Sequence, residues 1–511
     1  MIMNRIIGIL ATALLLASYG CGKETTEPIT DNEPVAPAPE SERYTKEVIY
    51  PNVSIGWTTS FALLLPKDYD KDTDSRYPVV YMLHGYGESG RDWSEWVNTI
   101  KNIENNGLQS MIYVFPNCGN SYYCNYYNNE RLYMDLIVKD LVPYIDNNYR
   151  TIPDREHRAV MGYSMGGFGA MVLPLKNPDI FSISVPLSMS FRTDEQYMTE
   201  SQSGWDNQWG KIFGGTGESG EGRLTDYYKA HCPFYQFIPE NQEELSKVKW
   251  FFHCGDDEEQ LLIANDNLHV QLRDYGYEHE FRISNGGHSG SYWRSAAKET
   301  LPWIQHVMNG SGAWTRSMGT LSLKSSDLNE DGTFSSKAYN EAEEKDGLAT
   351  FLVHKGLSKE TVDNCIGLLT QAGSIFQYMI LPCDLEQKSL EEWMTFYKAR
   401  YQVGKTMEKS QVMAIGETGK DVWTVKDLFK KFYLIDADLT DAEETIAADS
   451  GRFYYIASTD DSPYYRDANA LYVSCKENGA DFEYRMYNGI EDKEHELLLA
   501  IQNAVEKFKY Q

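Results

Sequence analysis

The sequence predicts an α/β protein: a mostly parallel sheet with helices on both faces, followed by a second, degenerate lobe of the same kind. Three observations predict it. Between Val48 and Met308 short apolar runs alternate with amphipathic stretches. G-Y-S-M-G at 162–166 stands where one such run ends, and the landmarks of this region recur past residue 312. Alternating strand and helix is the signature of a parallel sheet wrapped by helices.

The chain opens with Arg5, an apolar run and small residues before Cys21. That layout reads as a secretory signal, with an apolar part too short for a membrane span. S-Y-G-C at 18–21 resembles a lipobox, which makes Cys21 the expected site of lipidation and 1–21 a lipoprotein signal peptide. Residues 22–44 mix Pro, Thr and Glu with almost no core-forming side chain. They read as a solvated tether, holding the body about 25 Å from a membrane. The expected location is the bacterial cell envelope, lipid-anchored and periplasmic or surface-exposed, or else the medium.

The 511 residues carry a formal charge of −28, with 42% hydrophobic and 24% charged residues. This is a globular composition, and it argues against nucleic acid as a partner because phosphate binding needs clustered Lys and Arg. Beyond Cys21 there are seven cysteines, so at least one has no intramolecular partner. Cys118 and Cys124 are read either as a bridge or as two semi-buried thiols.

The strand-like runs are P-V-V-Y-M-L-H at 78–84, M-I-Y-V-F-P at 111–116, A-V-M-G at 159–162 and W-F-F-H-C-G at 250–255. Turn residues follow each, then helix-like segments such as L-I-V-K-D-L-V-P-Y-I-D at 136–146. In such sheets active residues gather at the carboxyl ends of the strands. G-x-S-x-G between strand and helix forces Ser164 into a sharp turn, where flanking side chains would collide with the helix and the next strand. The turn exposes the hydroxyl and aims the N–H of Met165 at an oxygen bound beside it.

A serine hydroxyl needs a base, and the partners are expected in the order serine, acid, histidine. His288, in N-G-G-H-S-G, follows the strand-like run E-F-R-I. The acid falls in C-G-D-D-E-E at 254–259. Spacing from Gly255 selects Glu258, residue type favours Asp257, and counting back from the next helix allows Glu259. The choice stays split between Asp257 and Glu258, whichever accepts from the imidazole. H-G-Y-G-E-S at 84–89 places the N–H of Tyr86 as a second oxyanion donor, with His84 structural.

R-Y-P-V-V-Y-M-L-H-G-Y-G-E-S-G-R-D-W, the stretch from V-K-D-L-V-P through G-Y-S-M-G-G-F-G-A, and E-F-R-I-S-N-G-G-H-S-G resemble the esterase D-type α/β hydrolases. That family includes the feruloyl and acetylxylan esterases of carbohydrate esterase family 1. The resemblance covers roughly 48–308. It implies the α/β-hydrolase fold, Ser164 as nucleophile, His288 as base, and Tyr86 and Met165 as oxyanion donors. The acid loop departs from the family pattern, G-D-D-E standing for G-x-x-D. Export points to acyl esters of plant polysaccharide or oligosaccharide, feruloyl or acetyl. The aromatics of S-Y-Y-C-N-Y-Y at 121–127 and W-D-N-Q-W at 205–209 read either as a stacking platform or as packing.

After N-G-S-G at 309–312 the landmarks return. F-L-V-H-K-G at 351–356 echoes Y-M-L-H-G, Q-Y-M-I-L-P-C at 377–383 echoes I-Y-V-F-P-N-C, and Q-V-M-A-I-G-E-T-G at 411–419 falls at the serine turn. F-Y-Y-I-A-S-T-D-D at 453–461 echoes the acid loop and F-E-Y-R-M-Y-N-G at 482–489 the histidine loop. Asp257 to Gly286 and Asp460 to Gly489 are both 29 apart, which favours an internal repeat. Gly416 or a neighbour replaces the nucleophile and Glu491 the base, so this copy is expected to carry no hydrolysis. The serine-to-acid separation is also only 44 residues against 93. His354 and His495 read as structural or exposed. D-L-N-E-D-G at 327–332 fits half of a calcium loop, but Ala338 occupies the twelfth position, so a polar turn is expected.

The expected organisation is a signal at 1–21, a tether at 22–44, an esterase domain at 45–310 and a degenerate copy at 313–511. The expected activity is serine ester hydrolysis through an acyl-enzyme, with no cofactor and no metal, and with membrane contact through the N-terminal lipid alone. The competing readings are a non-enzymatic glycan-binding lipoprotein derived from an esterase, and an esterase or acyltransferase of another substrate class.

Overall fold

Strands of near-continuous apolar sequence must be covered on both faces, and the sheet is built that way. The computed structural model describes residues 43–88, 92–258, 260–312, 314, 321, 348–370, 378–401, 410–440 and 451–508. The signal, Cys21, nearly all of the tether, Glu259, the 327–332 turn and Ala338 lie outside the described residues.

The strands are β1 Tyr44–Tyr50, β2 Thr59–Leu64, β3 Val79–Leu83, β4 Ile112–Pro116, β5 Arg158–Tyr163, β6 Ile183–Leu187, β7 Lys249–Gly255 and β8 Glu280–Ser284. They lie in the order β1-β2-β4-β3-β5-β6-β7-β8. The β1/β2 and β2/β4 pairs are antiparallel and the later pairs parallel. This is the α/β-hydrolase fold. Successive residues of β3 point to opposite faces. Val79, Tyr81 and Leu83 enter one apolar layer, Val80 and Met82 the other.

The sheet does not stop at β8. Among the described residues six further strands, β9 Leu348–His354, β10 Tyr378–Asp384, β11 Gln411–Ile415, β12 Lys431–Ile435, β13 Phe453–Thr459 and β14 Asp481–Tyr487, extend it to fourteen. The continuation runs β14-β13-β12-β11-β9-β10, every pair parallel. Outward from the junction, that order repeats β8-β7-β6-β5-β3-β4, with no counterparts of β1 and β2 among the described residues. The halves meet where β8 pairs antiparallel with β14, Ile283 opposite Met486. Each of these residues lies three before the glycine that closes its strand, Gly286 or Gly489. Residues 45–310 and 348–508 thus share one sheet, and Arg43–Gln511 form one unit.

The helices used below are α1 Ser94–Asn105, α2 Met165–Lys176, α3 Leu261–Asp274, α4 Gly290–Met308 and α5 Tyr465–Asn478. Across the junction α3 packs on α5. Among the described residues no helix is long and apolar enough to cross a membrane.

Between α3 and α5 lies Asp266, fully buried, accepting a hydrogen bond from Asn469 Nδ2 at 2.8 Å. Burial pushes its carboxyl up to about 7 from 3.8, against the pull of its hydrogen bonds. Between those two values the folded chain holds a proton that the unfolded chain releases, so this group's contribution to stability is lost as pH rises through that window. Asp266→Asn, neutral throughout, is expected to gain stability over the parent at pH 8 more than at pH 4. Urea midpoints at the two pH values check this, and identical pH slopes in parent and variant would contradict it.

Candidate active site

β5 delivers Ser164 at φ 57, ψ −120, a conformation L-residues avoid and helices do not use. Close backbone packing holds it there. A Cβ on Gly162 would lie 2.3 Å from the Gly166 carbonyl oxygen, one on Gly166 2.1 Å from that of Leu83, and one on Gly167 2.5 Å from that of Leu187. The glycines are therefore required by neighbouring backbone, not by their own dihedral freedom. The Ser164 N–H donates to the Leu187 carbonyl and the Ser164 carbonyl accepts from Ser190, both at 3.0 Å. The turn is locked from both sides.

His288 stands in the loop between β8 and α4, just before Ser289, whose hydroxyl caps α4 by accepting from the Tyr292 N–H. Its Nε2 lies 2.9 Å from Ser164 Oγ, and its Nδ1 lies 2.7 Å from Glu258 Oε2. The Glu258 side chain is 1% exposed and that of His288 42%. A dry carboxylate orients the ring strongly, while the ring itself stays within reach of water.

Of the two carboxylates left open by the sequence, Glu258 is the one that reaches His288. Asp257, the other half of the split expectation, is exposed and does not reach His288. Its N–H donates to the Gly286 carbonyl at 3.1 Å, which seats the backbone while its side chain faces solvent. Glu258 stands three residues after Gly255, the place the spacing selects, with glutamate where the pattern has aspartate.

Two residues that sequence reasoning missed complete this arm. The Ser188 hydroxyl donates a short hydrogen bond to Glu258 Oε1, and Trp293 Nε1 donates to Ser188 Oγ at 2.7 Å. Ser188 leaves β6 at φ 45, turned toward the site. Trp293 also stands edge-on to the His288 ring, centroids 4.8 Å apart at 90°, and stacks on Tyr163 at 4.4 Å. No local motif marks either residue. The only signal is position, at a strand's carboxyl end and one turn into the helix after the histidine. Beneath the site, Tyr292 OH lies 2.8 Å from His253 Nδ1. Burial, helped by the Arg282 charge, drives the His253 imidazole down to about 3, so the ring is neutral.

The N–H groups expected to hold an oxyanion, those of Tyr86 and Met165, follow β3 and open α2. Met165 opens α2, where first-turn N–H groups have no intrahelical acceptor. The loop carrying Tyr86 is pinned beside the elbow. His84 is fully buried, its Nδ1 2.9 Å from the Gly85 carbonyl and its Nε2 accepting from the Cys118 N–H at 3.2 Å. Its carbonyl accepts from Tyr123 OH at 3.1 Å, and the Gly87 N–H donates to Asn120 Oδ1 at 2.7 Å. His84 is thus structural, as expected, and the loop leaves β3 against Gly166.

The two aromatic clusters resolve mainly as packing. Tyr122, Tyr123, Trp205 and Trp209 are buried, and Tyr122 lies 4.2 Å from Trp209. Tyr127, together with Tyr86 on the oxyanion loop, remains exposed. Cys118 and Cys124 are unpaired buried thiols, pushed up by burial.

Residues 53–304 match the family model described as "Putative esterase". The match covers just under half of the chain, and over that segment the chain is similar to these esterases. The chain is similar to an esterase of Mycobacterium tuberculosis, 33% identical over 125 residues, 23% of this chain and 26% of that protein. It is 24% identical over 262 residues to an endo-1,4-beta-xylanase/feruloyl esterase of Xylanibacter ruminicola, 49% of this chain and 30% of that protein. It is 21% identical over 262 residues to an acetyl esterase of Caldicellulosiruptor saccharolyticus, 49% of this chain and 93% of that protein. The chain spans about a quarter of the length of the mycobacterial relative.

Glu258→Gln is expected to lower kcat toward p-nitrophenyl acetate about 10³- to 10⁴-fold, as loss of a triad acid does elsewhere. Asp257→Asn is expected to stay within about twofold of the parent, because an exposed charge outside the relay contributes little. The reverse order would return the acid role to Asp257.

Proposed function

We propose that the chain is an extracytoplasmic serine esterase that removes feruloyl or acetyl groups from plant-type polysaccharides through an acyl-enzyme. The observation that carries this reading is the continuous relay from Ser164 through His288 to Glu258. His288 Nε2 takes the serine proton as Oγ attacks the ester carbonyl, and the N–H groups of Tyr86 and Met165 hold the oxyanion. The sugar hydroxyl leaves with the proton from His288. Water, reaching the half-exposed imidazole, then gives up its proton and attacks the acyl-enzyme, releasing the acid and freeing Ser164.

The substrate class rests on similarity to proteins named as feruloyl and acetyl esterases. The location rests on the lipobox-like start and on Cys21 as the lipidation site, followed by a Pro/Glu/Thr-rich tether. The contact between His288 and Glu258 supports an enzymatic reading over a non-enzymatic one despite the loop's departure from the family pattern.

Residues 348–508 are read as a degenerate copy of the hydrolase half. Gly416 follows β11 at φ 60, where Ser164 follows β5 at φ 57. The place two residues past Gly489, matching His288, holds Glu491. Between β6 and β7 the first half carries helices over residues 194–245, whereas β12 and β13 are separated by residues 436–452 only. The copy therefore has the bend without nucleophile, base or the insert that walls an acyl pocket.

The test is turnover of p-nitrophenyl acetate and methyl ferulate by the parent and Ser164→Ala, followed by acid release from acetylated xylan and feruloylated arabinoxylan. A loss of at least about 10³-fold in Ser164→Ala is expected on the small esters. Equal rates would end the enzyme reading, and small-ester activity without release from either polymer would end the polysaccharide reading.

A further inference from the structure

The junction between the halves carries two buried ion pairs that cross it in opposite directions. Arg282, on β8, donates from Nη1 to Asp460 Oδ2 at 2.9 Å, reaching from the hydrolase half to the loop after β13. Arg485, on β14, donates a short hydrogen bond from Nη1 to Asp256 Oδ2, reaching back to the loop after β7. The acids have matching roles within their own halves. Asp256 Oδ1 accepts from the Gly286 N–H at 3.1 Å, and Asp460 Oδ1 accepts from the Gly489 N–H at 2.8 Å. By these bonds the counterpart of Asp460 is Asp256 rather than Asp257, so the hydrolase loop is one residue longer between its acid and its glycine. All four charged side chains are buried.

The two clasps are alike in geometry and unlike in what they hold. Asp460 closes a loop whose neighbours are Asp461 and Ser462. Asp256 lies two residues before Glu258 and, through Gly286, is tied to the backbone two residues before His288. Its own N–H donates to the Ser284 carbonyl, and the next N–H, of Asp257, donates to the Gly286 carbonyl, both at 3.1 Å. The loops are in such close contact that a Cβ on Gly255 would lie 2.0 Å from the Gly286 oxygen. One carboxylate thus fixes the spacing of the two loops that present the acid and the base. Its Oδ2 is satisfied from the other half, by Arg485 and by the Tyr484 N–H at 3.3 Å.

We propose that Arg485, supplied by the half that carries no nucleophile or base, is a positioning residue for the hydrolytic site, acting through Asp256 on the Glu258 and His288 loops. The proposal rests on the esterase reading and adds to it that residues 53–304 do not complete their own site. Arg485 touches neither substrate nor the reacting atoms. Without it a buried carboxylate loses its counter-charge and must protonate, move or admit water. Each response shifts the loop bearing Glu258, and displacements on the order of 1 Å at a catalytic pair cost rate out of proportion to their size.

The mirror clasp supplies the control. Arg485→Gln removes the pairs with Asp256 and Glu483, and Asp460→Asn the pair with Arg282; both changes lie in the C-terminal half at the junction. Arg485→Gln is expected to lower kcat for p-nitrophenyl acetate at least about tenfold with KM little changed, and Arg485→Lys to recover most of the loss. Asp460→Asn is expected to lower the melting temperature by a similar amount while leaving kcat within about twofold. Should Arg485→Gln fold poorly, the double change Asp256→Asn with Arg485→Gln removes both members of the clasp, leaves only the part-exposed Glu483 without its arginine, and is expected to fold with the same loss of kcat. Crystal structures of the variants read the contact without turnover. The His288 Nδ1 to Glu258 Oε2 separation of 2.7 Å should persist in Asp460→Asn and lengthen in Arg485→Gln. Parental kcat in Arg485→Gln, equal losses in both variants, or an unchanged separation in Arg485→Gln would overturn the proposal. A parent that turns over no ester would instead refute the esterase reading, leaving the separation to judge the clasp.

Discussion

The hydrolytic site depends on one constraint, the approach of backbone to backbone around Ser164. With the Leu83 and Leu187 carbonyls pressed against the positions where Gly166 and Gly167 would carry side chains, the turn between β5 and α2 has one way to close. That closure lifts the hydroxyl above the carboxyl ends of the strands and aligns the first donors of α2 beside it. It also brings the end of β3, at Leu83 and His84, against the helix. Chemistry here follows from a shortage of space, in which a single methyl group would separate the strands that assemble the site.

The acid arm shows a different economy. Glu258 is enclosed, with one oxygen held by His288 and the other by Ser188, which Trp293 secures in turn. Each of these groups comes from a different strand end or from the first turn of α4, so the parallel sheet is what makes them neighbours. The sheet continues through β8 into β14, and this gives the acid and histidine loops a second supporting wall.

Ser164, the order of its partners and the strand pattern were legible because they are written locally, as a motif and as apolar runs of strand length. The acid was not, because the choice among adjacent carboxylates depends on how a loop with one extra residue is seated, which is decided by Gly286 across the cleft. Ser188 and Trp293 were invisible for the same reason: their roles exist only once three strand ends converge. The aromatic clusters carried a genuine ambiguity, since Tyr122 and Trp209 are as suited to a sugar as to each other, and burial decided for each other. The repeat was visible in recurring landmarks, yet the equal spacing of 29 residues paired Asp460 with Asp257, where hydrogen bonding pairs it with Asp256. Nothing in the sequence announced that β8 and β14 would join edge to edge, because edge pairing is made by backbone groups common to every strand.

Labelling by a fluorophosphonate tests the central claim most directly, since that reagent reports an activated serine without any assumption about the natural substrate. Mass spectrometry of the labelled and digested protein should find one adduct, on the peptide containing Ser164, and should find it greatly diminished in His288→Ala. No adduct on Ser164, or labelling as fast without His288 as with it, would contradict the account.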